Sequence, residues 1–160
     1  MKIGLIGYGL QGNRRARALQ ELNDVELVTV ADIDREKAKL LANKMECQIA
    51  TDWMEVVSKK DVEAVLICTP PHLHALIAIE ASGKGKHILC EKPLARSLEE
   101  AGKMVEVASE NGVKVKCGFN LRHHPGIQQA RRWISEGNIG DLLFIRSRYG
   151  IGGRPGYEED

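Results

Sequence analysis

The chain has 160 residues, 43% of them hydrophobic and 28% charged, and its 23 lysines and arginines against 22 acidic residues leave a formal net charge of +1. That length suffices for one well-buried domain and is too short for two full ones. A near-neutral balance without a long run of either sign argues against a nucleic acid or a membrane surface as partner, and no stretch nears the roughly 18 apolar residues a spanning helix needs.

The opening MKIGLIGYG holds an apolar run at 2–7 that glycine breaks at once, too short for a signal-peptide core and read as a strand. It leads into GYGLQG (7–12), a G-x-G-x-x-G between a strand and a helical run. In that context Gly7 permits a tight turn, Gly9 lets the backbone approach a pyrophosphate, and Gly12 lets the helix pack close to the strand. Tyr8, Leu10 and Gln11 complete the cofactor-binding loop. The helix start offers free amides and a partial positive charge to phosphates.

A second run, VELVTVA (25–31), ends at Asp32, twenty residues past Gly12. The dinucleotide fingerprint asks for an acid there, to accept from the adenosine ribose hydroxyls and repel a 2′-phosphate. Ile33 is not basic, which favours NAD as cofactor, while nearby Arg35 keeps NADP as the alternative.

Ala38, Leu41, Ala42 and Met45 recur at i, i+3, i+4 and i+7, one apolar stripe on a helix starting near Asp34. CQIA (47–50) is a weaker candidate for a short strand, and VEAVLIC (62–68) a strong one. KHILC (86–90) is another, and it runs straight into Glu91, Lys92 and Pro93. SLEE (97–100) is a capping box, in which Ser97 accepts from the Glu100 amide and the Glu100 side chain reaches back. Ala101, Met104, Val105 and Ala108 carry the buried face of that helix, and Asn111-Gly112 stops it before the strand VKVKCGF (113–119).

Strands alternating with helices make βαβ units with right-handed crossovers. The expectation is an α/β doubly wound parallel sheet, a Rossmann fold, with residues 1–120 as the dinucleotide-binding domain. HPGIQQARRWISEGNIG then reads as a helix ending at Gly137, with Ile127, Ala130, Trp133 and Ile134 on a buried face, followed by a strand at 141–149. A helix, one strand and a loop cannot bury a core of their own. Residues 121–160 therefore read as the start of an incomplete, truncated substrate and oligomerisation domain. Its unpaired strand at 141–149 either pairs with a second copy, giving a homo-oligomer, or is poorly ordered.

Cys47, Cys68, Cys90 and Cys117 stand singly, about twenty residues apart, and fit no zinc or redox motif. Buried free thiols in a reducing, cytoplasmic setting are the expectation. His123-His124 lacks an acidic or cysteine partner at ligand spacing, so no metal site is expected.

With GYGLQG, CTPPHLHA (68–75) and GKHILCEKPLA (85–95) in order, the chain resembles the Gfo/Idh/MocA family of nicotinamide-dependent oxidoreductases. The resemblance covers all 160 residues: GFNLRHHPG (118–126) is similar to the crossing into that family's second domain, and GGRPGY resembles members acting on sugars, sugar nucleotides or cyclic polyols. It implies an α/β second domain that carries most of the substrate site and a dimer interface. It also implies a D-x-x-x-H segment whose histidine assists proton transfer, which this sequence does not contain.

The same resemblance makes Lys92 the catalytic or substrate-binding lysine, with a Lys-Pro bond that is often cis. Oxidising a secondary alcohol needs a hydride acceptor and a base, and lysine serves as base once partial burial and a positive nicotinamide lower its pKa from about 10.4. Thr69 and Pro70 are implied to line the nicotinamide-ribose side, and His74 to help bind cofactor or to be a plain helix-start histidine. Glu91 either orients Lys92, contacts the cofactor, or forms a surface ion pair. Asn120 is a further cofactor candidate, and Arg122 either binds substrate or bridges two domains, while His72 reads as an ordinary loop residue. The function expected is an NAD-dependent oxidoreductase of sugars or cyclic polyols, or its cofactor-binding fragment. The alternative is a non-catalytic NAD(P)-binding regulatory or sensing module.

Overall fold

The computed structural model describes residues 1–148 and 150. Their contacts fall into two compact units, residues 1–119 and a second beginning at Asn120.

The first unit alternates strand and helix as its apolar runs dictate: β1 (Lys2–Ile6), α1 (Leu10–Leu19), β2 (Glu26–Ala31), α2 (Arg35–Met45), β3 (Gln48–Ile49), α3 (Trp53–Ser58), β4 (Ala64–Ile67), α4 (His74–Gly83), β5 (His87–Cys90), α5 (Leu98–Glu110) and β6 (Val115–Cys117). All six strands pair in parallel, in the order β3-β2-β1-β4-β5-β6. The strand order reverses between β1 and β4, and such a switch point opens a crevice at the carboxyl ends of the strands.

Both sheet faces are covered, which is why the strand runs are almost continuously apolar. Ile3, Leu5 and Leu66 pack with Ala16 and Leu19 of α1 and Leu41 of α2 on one face. Ile6, Val65 and Ile67 pack with Val56 of α3, Ile77 of α4 and Met104 of α5 on the other. Each such side chain, when fully buried, contributes about 1.5–3 kcal/mol.

Register fixes where the loops emerge. Ile6 pairs with Ala31 and with Ile67, Ile67 with Cys90, and Cys90 with Cys117. The strands thus end in line, and residues 7–12, 32–34, 68–73 and 91–95 leave from one edge of the sheet.

Local capping follows the sequence with one difference. Asp34 caps α2 by accepting from Glu36 N and Lys37 N at 3.1 and 3.2 Å, and Ser97 Oγ accepts from Glu100 N at 3.1 Å. The Glu100 carboxylate reaches one residue beyond the cap, to Arg96 N at 2.9 Å and the Arg96 guanidinium at 2.8 Å, because that cation lies within its reach. The four thiols are free, but only Cys90 is buried; Cys47, Cys68 and Cys117 are half-buried, since they stand where strands and helices give way to loops.

In the second unit, a short turn at Asn120–His123 precedes α6 (Pro125–Ser135), and His124 Nδ1 accepts from Gly126 N at 3.2 Å to cap it. Two expectations fail here. No residue of α6 is buried, and Ile127 and Trp133 are about half exposed at 53% and 48%. Residues 141–148 form no strand, and Leu142, Leu143, Phe144 and Ile145 are exposed. An apolar pattern marks what can be buried, but burial and pairing need a partner surface, and among the described residues of this unit none supplies a ladder. Tyr149 lies outside the described residues.

Candidate functional site

The glycine turn is fixed by contacts that only glycine allows. Gly7 has φ +90°, and a Cβ there would sit 2.7 Å from the Cys68 carbonyl oxygen. One on Gly12 would sit 2.1 Å from the Gly7 carbonyl oxygen, so α1 can lie this close to β1 only without a side chain. Gly9 differs: a Cβ there meets nothing within 4 Å. Gly9 is also the N-cap of α1, with no side-chain cap and no acid in the first turn. The first amides of α1, through Leu10 and Gln11, therefore face open space with their partial positive charge unmet. That cradle fits a pyrophosphate.

Asp32 stands directly beside it. One carboxylate oxygen accepts from Tyr8 N at 2.5 Å and the other from Asp34 N at 2.7 Å. The acid thus pins the glycine loop, and each oxygen keeps a second lone-pair direction for a ribose hydroxyl. Asn13 Nδ2 donates to Tyr8 Oη at 2.9 Å and holds that side chain over the first turn of α1. Lys37 pairs with Asp34 at 3.1 Å, and its amide and ammonium hold the Asp34 carboxyl below its usual range.

Most of these groups, though not Tyr8, Gly12 or Asn13, line a cleft of about 810 Å³, within the range of cofactor pockets. Gly7, Gly9, Leu10 and Gln11 form one wall, Asp32 and Ile33 the next, and Thr69 and Pro70 the third. Sequence reading missed Trp53 and took His72 for an ordinary loop residue, yet both line the cleft. They reach it from loop and helix positions whose neighbours only the fold defines.

A second cluster occupies the same sheet edge beyond β4 and β5. Glu91 N donates to Ile67 O at 2.9 Å, continuing the ladder past β5. The Glu91 side chain turns inward and is buried, at 6% exposure, while Lys92 beside it is exposed. Partial burial of Lys92 is therefore not found, because the inward position at this edge belongs to Glu91. The Lys92–Pro93 peptide is cis. His74 is buried, with Nδ1 2.8 Å from Pro93 O and Nε2 2.8 Å from Thr69 O, so its ring faces two loops rather than the cleft.

Arg15 was not foreseen. From α1 its Nε donates to Glu91 Oε1 at 2.8 Å, and its Nη2 forms an ion pair with the same oxygen. Glu91 Oε2 accepts from Lys92 N at 3.3 Å. The charge of this carboxylate is felt by three thiols. Burial, and then the Glu91 charge, push Cys68 up to about 12, with Arg15 opposing. Burial, the other two thiols and Glu91 push Cys90 up to about 12, and Cys117 is raised for similar reasons.

Asn120 and Arg122 belong to the second unit, both in the exposed turn before α6. There Arg122 lines a basic hollow with Ile127, Gln128, Arg131 and Arg132.

Comparison with known proteins agrees with this geometry. Residues 1–119 match the Gfo/Idh/MocA model, described as an oxidoreductase family with an NAD-binding Rossmann fold. Levoglucosan dehydrogenase of Pseudarthrobacter phenanthrenivorans is 35% identical over 159 residues, 93% of this chain and 40% of the relative. The 2,7-anhydro-N-acetylneuraminate hydratase of Mediterraneibacter gnavus is 32% identical, over 97% of this chain and 40% of the relative. The crystal structure of myo-inositol 2-dehydrogenase from Lactobacillus plantarum superposes with a TM-score of 0.82 at 25% identity, over 88% of this chain and 42% of that one. The chain spans about two-fifths of the length of the curated relatives it matches. It belongs to the Gfo/Idh/MocA oxidoreductase family.

Proposed function

We propose that this chain supplies the cofactor site and the proton-handling lysine of an NAD-dependent oxidoreductase acting on a secondary alcohol of a sugar, sugar nucleotide or cyclic polyol. The observation that carries the proposal is one sheet edge bearing both the uncapped, acid-free start of α1 and, two strands away, the loop of Lys92. Relatives of similar likeness are named for different sugars and for different reactions, so likeness alone selects no substrate.

When bound, the nicotinamide nucleotide supplies the hydride acceptor. The α1 amides hold its pyrophosphate, and Asp32 orients its adenosine ribose. Lys92, exposed at the loop, takes the proton of the substrate hydroxyl as general base and returns it in the reverse direction. The preference for NAD rests on Asp32: a 2′-phosphate brought against this carboxylate would meet like charge, and Lys37, the lysine that lines the cleft, is already paired with Asp34.

Trp53 lines the cleft, so nucleotide binding should alter its fluorescence. Titration with NAD should saturate at lower concentration than titration with NADP; the reverse order would overturn the cofactor preference. A panel of inositols and anhydrosugars, followed by NADH absorbance, tests turnover, which Lys92→Met should abolish. Turnover by this chain would exclude the non-catalytic module, whereas nucleotide binding without turnover fits both that module and a cofactor-binding fragment.

A further inference from the structure

A buried carboxylate beside a lysine ordinarily neutralises it. Glu91 and Lys92 are adjacent, and a buried carboxylate is poorly screened and attracts a neighbouring ammonium even when that ammonium is exposed. An ion pair between them would hold the lysine protonated and folded back on its neighbour. The structure shows another arrangement: the Lys92 ammonium has no ion pair among the described residues, and Glu91 Oε1 is taken by Arg15, through Nε at 2.8 Å and through Nη2. Oε2 faces the Lys92 main chain, 3.3 Å from its amide nitrogen.

Gly118 closes the remaining side. A Cβ there would lie 3.0 Å from both Glu91 oxygens and 3.1 Å from Arg15 Nη2, so backbone packs directly on the pair. The other titratable groups facing the carboxylate are Cys68 at the end of β4, Cys90 of β5 and Cys117 of β6, all raised by burial and therefore uncharged near neutral pH. Arg15 is thus the group that balances Glu91.

We propose that Arg15 is a positioning residue for Lys92: by occupying the Glu91 carboxylate it leaves Lys92 without an internal counter-ion and available to a ligand. The proposal rests on the reading of Lys92 as the proton acceptor. It also links two functions through one helix, since α1 presents the phosphate-binding amides at its start and Arg15 in its second turn.

Trace labelling with acetic anhydride reads the free amine of Lys92 directly, by mass spectrometry of the peptide containing it, across about pH 6 to about pH 11. In Arg15→Met the uncompensated Glu91 captures Lys92, so the labelling midpoint should rise by about one pH unit and labelling at about pH 8 should fall roughly tenfold. The double variant Arg15→Met/Glu91→Gln removes both charges and should return the wild-type profile. An unshifted Arg15→Met, or a double variant that stays shifted, would overturn the proposal. Should circular dichroism show Arg15→Met unfolded, Arg15→Lys carries the test. It keeps the charge but loses the second of two converging hydrogen bonds, so labelling should fall about threefold, and an unchanged profile would overturn the idea. Turnover plays no part in this readout: a dispensable Lys92 would sink the proton-acceptor reading, while the labelling profile would still judge Arg15.

Discussion

His74 Nδ1 stands 2.8 Å from the Pro93 carbonyl oxygen, and the opposite ring nitrogen stands 2.8 Å from the Thr69 carbonyl oxygen. One buried ring therefore joins the loop after β4, which walls the cleft, to the loop after β5, which carries Lys92. With Arg15 holding Glu91, the residues on both sides of Lys92 are anchored while Lys92 itself is exposed.

Replacing the ring tests that clip. His74→Phe keeps most of the volume but leaves both carbonyls without the ring nitrogens. A ring with one N–H donates to one of the two carbonyls, and a buried group left unpaired costs about 1–3 kcal/mol, so the urea midpoint should fall by an amount of that order. His74→Gln, which can still donate to one carbonyl, should recover part of the loss. A Phe variant as stable as wild type would show that the ring only fills space.

The glycines of the loop should separate by mechanism. Gly12→Ala sets a Cβ 2.1 Å from the Gly7 carbonyl oxygen, a backbone atom that cannot yield, so both thermal stability and nucleotide binding should suffer. Gly9→Ala meets nothing within 4 Å, and φ of −71° suits alanine, so stability should stay within about 0.5 kcal/mol of wild type. Its methyl group would nevertheless enter the open space before α1 that the proposed function assigns to a pyrophosphate. Calorimetric titration should therefore show NAD affinity falling at least about tenfold in Gly9→Ala, about 1.4 kcal/mol. Unaltered affinity would place the phosphates elsewhere.

Gly118→Ala probes the ion pair from the backbone side. Its Cβ would crowd Glu91 and Arg15 at 3.0–3.1 Å, tighter than most such contacts, so the paired groups would have to give by a few tenths of an ångström. Overpacking of this kind costs about 1–3 kcal/mol. The loss should shrink in an Arg15→Ala background, where the space is open; an equal loss in both backgrounds would show that the pair is not what Gly118 accommodates.

The sheet was legible because its signals are local. Apolar runs the length of strands, glycines at fixed spacing and an acid twenty residues beyond Gly12 all lie within a few turns of chain. Arg15 was not legible, because its partner lies 76 residues away and neither residue carries a local pattern that names the other. Trp53 and His72 escaped for the same reason: lining a cleft is a property of neighbours brought together by the sheet. The failed burial of Ile127 and Trp133 has a different cause. Helical periodicity records an apolar face, whereas burial also depends on a surface opposite, which periodicity does not encode.

The thiols give a pH dependence with a definite sign. Cys90 is fully buried, and burial first, then Cys117, Cys68 and the Glu91 charge, push its thiol from 9.0 up to about 12. An acid whose pKa is raised on folding binds its proton more tightly in the native state. Its contribution is therefore complete below about pH 9 and is lost as the pH climbs toward about 12. Urea midpoints measured from neutral pH into this window should fall progressively in the wild type. Cys90→Ala introduces a small cavity and should start lower, but it has no proton to lose, so its decline across the same window should be shallower. Because the comparison is of slopes, the cavity cancels. Parallel slopes would show that the Cys90 thiol does not resist ionisation in the folded state, and that the Glu91 charge is better screened from this strand end than the geometry implies.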